Sequence, residues 1–134
     1  MPATIDDVAQ LAMALPEVTE GLSWGQRTWS VGGKGFVWVR PFTKADLKRF
    51  GDEDPPAGDI VGVRVEDLAD KEAVLQSGQR GFFTIPHFDG YPAVLVQLKV
   101  VGKRALGTAL EDAWLACAPP KLADQHLAAK RRGR

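Results

Sequence analysis

The stretch RTWSVGGKGFVWVR, residues 27 to 40, constrains this chain more than any other. Two runs of β-branched and aromatic residues, 27–31 and 36–40, flank GGKG. Three glycines in four residues supply the positive φ that a tight turn demands, so the pair reads as a β-hairpin. Similar patterning predicts strands at IVGVRV (60–65), GFFTI (81–85) and AVLVQLKVV (93–101).

Helical spacing accounts for much of the rest. Thr4 and Asp7 form a capping-box signature ahead of Ile5, Val8, Ala9, Ala12 and Leu15, which predicts a helix over 5–15 stopped by Pro16. EVTEGLSWGQ reads as a turn-rich lead-in to the hairpin. Pro41 to Gly58 reads as a long connection with one short helical turn at 44–50. Leu68, Val74 and Leu75 predict a short helix ended by Gly78. Leu106, Leu110, Ala113, Trp114 and Cys117 share one face of the strongest amphipathic helix, which Pro119 and Pro120 end. A final helix follows, with a basic, fraying tail at 128–134.

The expected order is α-β-β-β-α-β-β-α-α. Strands that come in hairpin-linked groups, rather than in βαβ alternation, predict an α+β fold: a mainly antiparallel five-stranded sheet with helices on one side. At 134 residues and 45% hydrophobic, the chain suits a single domain over 1–134. No window holds the roughly 18 to 20 apolar residues a membrane span needs, and MPATIDDVAQ lacks the pattern of a signal peptide, so a soluble, cytoplasmic protein with no membrane partner is expected.

Charge and reactive residues narrow the chemistry. Lys and Arg number 12 against 16 Asp and Glu in residues 1–120, and 5 against 1 in residues 121–134. That balance counts against avid DNA binding by the body of the domain. Cys117 is the one cysteine and the histidines number two, so no disulfide and no zinc set is expected. Asp52, Glu53 and Asp54 read as a solvated loop rather than a cation site, and no cofactor or metal is expected. His87 lies in PHFDGYP, where Pro86, Asp89, Gly90 and Pro92 are turn formers, so it reads as a hydrogen-bonded loop residue rather than a general base. His126 reads as solvated on a helix face. GGKGF lacks the following helix that would aim amides at a phosphate. Trp29, Trp38 and Trp114 are expected in the core, and Trp24, beside Gly25, is the tryptophan most suited to the surface. The chain reads as a binding protein, not an enzyme.

The order ALPEVTEGLSWG, WSVGGKGFVWVR, VGVRVED, PHFDGYPAVLVQL and EDAWLACAPPKL, spanning roughly residues 5 to 123, resembles the MmcQ/YjbR family. The resemblance implies an α+β fold similar to type III secretion chaperones and a DNA-binding role through a pair of wing-like hairpins. The later strands depart from many members, which carry a tyrosine and histidine followed by asparagine, lysine, histidine and tryptophan where this chain has IPHFDGYPAVLVQL. Only the hairpin position of Lys34 and the general location of His87 carry over.

Two readings follow. In the first, a DNA-binding module presents Lys34 at a hairpin tip with Arg27 and Arg40, while Lys103, Arg104, Lys130, Arg131, Arg132 and Arg134 neutralise phosphates. In the second, a peptide, protein or small ligand binds an aromatic-lined sheet face around Trp24, Phe42, His87, Phe88 and Tyr91. A monomer or a homodimer fits either, because an exposed edge strand needs covering.

Overall fold

The computed structural model describes residues 2–133 and shows six strands and five α-helices among them. In chain order they are α1 (Ile5–Met13), β1 (Thr19–Ser23), β2 (Gln26–Val31), β3 (Lys34–Val39), α2 (Lys44–Phe50), β4 (Ile60–Arg64), α3 (Leu68–Gln76), β5 (Phe82–Phe83), β6 (Ala93–Gln97), α4 (Lys103–Cys117) and α5 (Pro120–Arg132). A 3-10 turn at Pro86–Phe88 sits between β5 and β6. The strands lie in the order β1-β2-β3-β4-β6-β5, with every neighbouring pair antiparallel. The α+β class is as expected, with one strand more.

The added strand is β1, drawn from the segment that reads as a lead-in loop. All five of its residues are exposed, so no apolar alternation marks it. Pairing with β2, rather than its own propensity, makes it a strand. Each hairpin closes on two residues with positive φ, the pattern of a type I′ turn: Trp24 and Gly25 at 53° and 76°, Gly32 and Gly33 at 59° and 79°. Lys34 is therefore the first residue of β3, not part of a four-residue turn. The second tip is also not free. A Cβ on Gly32 would come within 2.9 Å of Pro119 Cδ, so that tip is seated against the joint between α4 and α5.

Alternation along the strands sorts side chains onto two faces. On one, Trp29, Val31, Val37, Val61, Val63, Val94 and Val96 meet Val8 and Ala12 of α1 and Leu106, Leu110, Ala113, Trp114 and Cys117 of α4. These are the α4 residues that helical spacing singles out. A register shift between Trp29 and Ser30 leaves Phe36 as an extra residue on β3, which places Phe36 and Val37 together in this core. Burial raises the Cys117 thiol, which the charges of Arg64 and Lys34 oppose.

The opposite face carries a second cluster of Ile60, Ile85, Phe88, Ala93 and Leu95, with Trp38, Phe42, Phe50 and Phe83 packed on it. Here the structure departs from helices on one side, because α2 lies over this face. Phe50 of α2 meets Phe42 edge-on at 5.3 Å, and Phe42 reaches Phe83 at 6.2 Å. The helix starts at a second capping box, Thr43 with Asp46, and Asp46 also receives Arg40 at 3.0 Å. Trp38, expected in the main core, is half-buried on this face because it sits one position out of phase with Val37.

Two further expectations change. In α3 the buried residue is Lys71, while Leu68 is half exposed. His126 is not solvated: its ring meets Trp114 at 4.8 Å, and its Nε2 lies 2.8 Å from Glu111. With Lys130, also 2.8 Å from Glu111, it fastens α5 to α4. No helix among the described residues is long and apolar enough to cross a membrane.

Candidate functional site

The second face is only partly covered, and the gap is a groove of about 870 Å³. The strand register lays it out. Trp38 of β3 pairs with Thr28 of β2 and Gly62 of β4, and all three point to this face. Gly62 is what lets the indole lie on the sheet, since a Cβ there would overlap the Trp38 ring. Gln26 and Thr28 flank the indole on one side, and on the other the segment 86–91 rises as a wall bearing His87, Phe88 and Tyr91. Trp24 and Arg40 stand at one end. Lys34 and Arg64 line the groove at the other.

Each boundary is held by specific contacts. Arg40 donates to the Pro41 carbonyl and to Asp46, and its guanidinium sits 5.5 Å above the Phe88 ring. Burial pushes the Asp46 carboxyl up, but hydrogen bonds from Thr43 and Arg40 and the Arg40 charge outweigh it and hold the group below its usual range. The second oxygen, Oδ1, is buried without a hydrogen-bond partner, so Arg40 is the charge that offsets this carboxylate. The wall is held by Lys71, whose buried ammonium donates to the carbonyls of Phe88 at 2.5 Å and Tyr91 at 2.9 Å. Burial lowers its pKa.

Arg64 differs from Arg40. It is half-buried, donates from Nη1 to the Tyr91 hydroxyl at 3.2 Å, and lies 5.4 Å over the Tyr91 ring. Among the described residues it has no carboxylate partner, and neither has Lys34.

The second expected set thus converges in large part: Trp24, His87, Phe88 and Tyr91 line one groove, while Phe42 lies beneath, within the aromatic cluster. Trp24 is wholly exposed. His87 is exposed, 6.0 Å from Phe88 between ring centres. Its side chain makes no hydrogen bond among the described residues; the loop-fastening role expected of it belongs to Lys71.

The basic set is scattered instead. Only Lys34 and Arg40 line the groove. Arg27 lies on the helix side, over Trp29 at 5.1 Å and doubly bonded to Glu20 at 3.1 and 3.2 Å. The hydrogen bond from Arg27 and its charge, against a desolvation penalty, hold Glu20 below its usual range. Lys103 lies 3.8 Å from Asp7, and Lys130 is bound to Glu111. Arg104 borders a shallow recess with Leu11 and Leu15, while Arg131 and Arg132 are exposed on the last turn of α5. Arg134 lies outside the described residues. No cluster of three or more His, Cys, Asp or Glu suited to a metal occurs among the described residues.

Arg64, Gln26 and Thr28, which line the groove, and Lys71, which anchors its wall from behind, are residues that the sequence reading passes over. The signal for Arg64 was present: in IVGVR, Val61 and Val63 mark the core face, which places Ile60, Gly62 and Arg64 on the other.

Comparison with known proteins decides the lineage. The family model described as YjbR matches residues 13–116. The chain belongs to the YjbR family. Proteins similar to this chain include three uncharacterized proteins, Mb2600 of Mycobacterium bovis and MT2646 and Rv2570 of Mycobacterium tuberculosis. Each is 46% identical over 129 residues, covering 94% of this chain and 97% of the relative. No solved structure gives a significant match. The YjbR match takes in β1 to β6 and nearly all of α4, so the groove lies within it.

Proposed function

We propose that this YjbR chain is a non-enzymatic binding module whose working surface is the groove on the open sheet face. The observation that carries the reading is the groove itself. About 870 Å³, floored by Trp38 and walled by Phe88 and Tyr91, falls in the range of small-ligand sites, which pair apolar walls with a few placed polar groups. Those polar groups are cations, hydroxyls and an amide, with His87 at the rim lacking a carboxylate to orient it. Such a set holds a ligand rather than moving a proton.

The DNA-binding reading draws less support. The β2–β3 tip, where Lys34 would act as a wing, is seated on Pro119. Arg27, Arg40, Lys103 and Lys130 each face a carboxylate. Counterions leave the DNA phosphates only where a cationic side chain is free to neutralise them.

The test is amide and indole NMR of the full chain during titration with a library of small aromatic and aliphatic compounds. Shifts confined to Trp38, Thr28, Gly62 and residues 86–91 are expected. Shifts elsewhere, or none, would remove the groove as the site. Labelled duplex DNA titrated at low salt addresses the other reading: salt-sensitive binding lost in Lys34→Glu would restore it.

A further inference from the structure

The charge of the groove is the clue to its occupant. Outside the last helix the chain is mildly acidic, yet among the described residues that line the groove there is no Asp or Glu. Lys34, Arg40 and Arg64 all line it. Arg40 is offset by Asp46. Arg64 and Lys34 have no carboxylate partner among the described residues, but Lys34 pairs with the core residue Val31, which turns its side chain toward the helix side, so Arg64 is the cation left to the groove. A half-buried guanidinium held in place by a phenol, with no carboxylate beside it, is a preset anion receptor.

The register sets the spacing. Gly62 carries the Trp38 indole above it, and Arg64 stands two residues further along β4 on the same face. At about 3.4 Å per residue that is about 7 Å along the strand. An indole face and a fixed cation at this separation match a compact molecule that has a flat ring at one end and an anion at the other.

Resting on the groove as the binding site, we infer that the YjbR groove takes a planar anion. Its aromatic ring stacks on Trp38, and its carboxylate or phosphate is held by Arg64. Free aromatic acids and mononucleotides share this chemistry.

The experiment titrates the full chain with 2-naphthoate, uncharged 2-naphthamide, AMP and inorganic phosphate, read by calorimetry and by the NMR signals of Trp38 and Arg64. Naphthoate is expected to bind about tenfold or more tighter than the amide, since the amide forgoes a charge-assisted hydrogen bond. Arg64→Gln should bring naphthoate down to the level of the amide. Phosphate alone should leave the indole unshifted.

AMP binding tighter than naphthoate would identify a nucleotide as the source of the anion, and the reverse an aromatic acid; either supports the inference. Equal affinity for naphthoate and naphthamide, or an anion preference that survives Arg64→Gln, would overturn it while leaving the groove a binding site. Phosphate matching AMP would overturn the ring contact. Silence of the groove signals with every probe would sink the groove reading itself. Should Arg64→Gln fail to fold, Tyr91→Phe keeps the ring but releases the guanidinium. It is expected to weaken naphthoate about threefold, and unchanged affinity there counts against the inference.

Discussion

The two faces of the sheet come from the same strands by the same alternation, but they are finished differently. On the helix side, α1 and α4 lay a continuous apolar surface over Trp29, Val37, Val61 and Val96. On the other, α2 and the 86–91 segment cover one half and leave Trp38 and Thr28 looking into a groove. The difference lies in what holds each cover. Apolar volume seals the first face. On the second, a smaller apolar cluster is supplemented by directed polar contacts, Lys71 to two carbonyls and Arg40 to Asp46. A cover held in part by a few directed bonds leaves space beside it, whereas close packing does not.

The comparison predicts where damage is greatest. Trp114 is fully buried and donates its indole N–H to the Pro16 carbonyl at 3.0 Å. Trp114→Ala is expected to cost about 3–5 kcal/mol in urea unfolding, a large share of the stability of a small domain. A loss below about 1 kcal/mol would mean the helix face is not the main source of stability.

Lys71→Met keeps the apolar stem and removes the ammonium. A loss of about 2 kcal/mol is expected, with faster amide exchange confined to residues 86–91. Exchange that speeds up across α4 as well would show that the faces are not independent. Because burial lowers the folded pKa of Lys71 from its usual 10.5, the unfolded chain binds more protons just below that value, so this group adds stability as pH rises through the window. The slope should vanish in the variant.

Gly62→Ala tests the groove floor. Its methyl must displace the Trp38 indole, at an expected cost of about 1–2 kcal/mol with a shift in tryptophan emission. Unchanged emission would mean that the indole does not rest on the strand.

The seam between α5 and α4 gives a smaller effect. Burial pushes Glu111 up, but hydrogen bonds and charges from Lys130 and His126 outweigh it and hold its folded pKa below the usual 4.5. A depressed carboxylate contributes stability in full above the unfolded value, and loses it as pH falls through the lower folded one. Glu111→Gln should therefore cost about 1 kcal/mol at neutral pH and nothing once pH is below both values. An equal deficit at both pH extremes would assign the effect to packing.

Trp24→Ala should be smallest, within about 0.5 kcal/mol, because the side chain is wholly exposed. A larger loss would place the indole against the body of the protein.

The same contrast governs what could be read from the residues alone. The helix face was legible: the spacing of Leu106, Leu110, Ala113, Trp114 and Cys117 is a periodic signal, and all five are buried. The groove was legible in pieces. PHFDGYP announced a turn bearing aromatic residues, but nothing local to it tells that Lys71, 17 residues before Phe88, would be its anchor. Phe42 was expected at the surface set and lies beneath it, because its place depends on α2 folding over from a segment dominated by turn formers. β1 escaped detection because an exposed strand formed by its neighbour leaves no apolar rhythm. Ion pairs such as Arg27 with Glu20 or Lys130 with Glu111 join distant positions, and a count of charges cannot foresee them.

Cys117, walled in between the end of α4 and the strands, makes the chain its own timekeeper for one of its surfaces. An alkylating reagent reaches that sulfur only when the sealed side comes apart, and there is no other thiol to confuse the signal. Labelling speed therefore records how often the interior breathes, and a ligand held on the opposite side should slow it to the extent that it stabilises the whole fold.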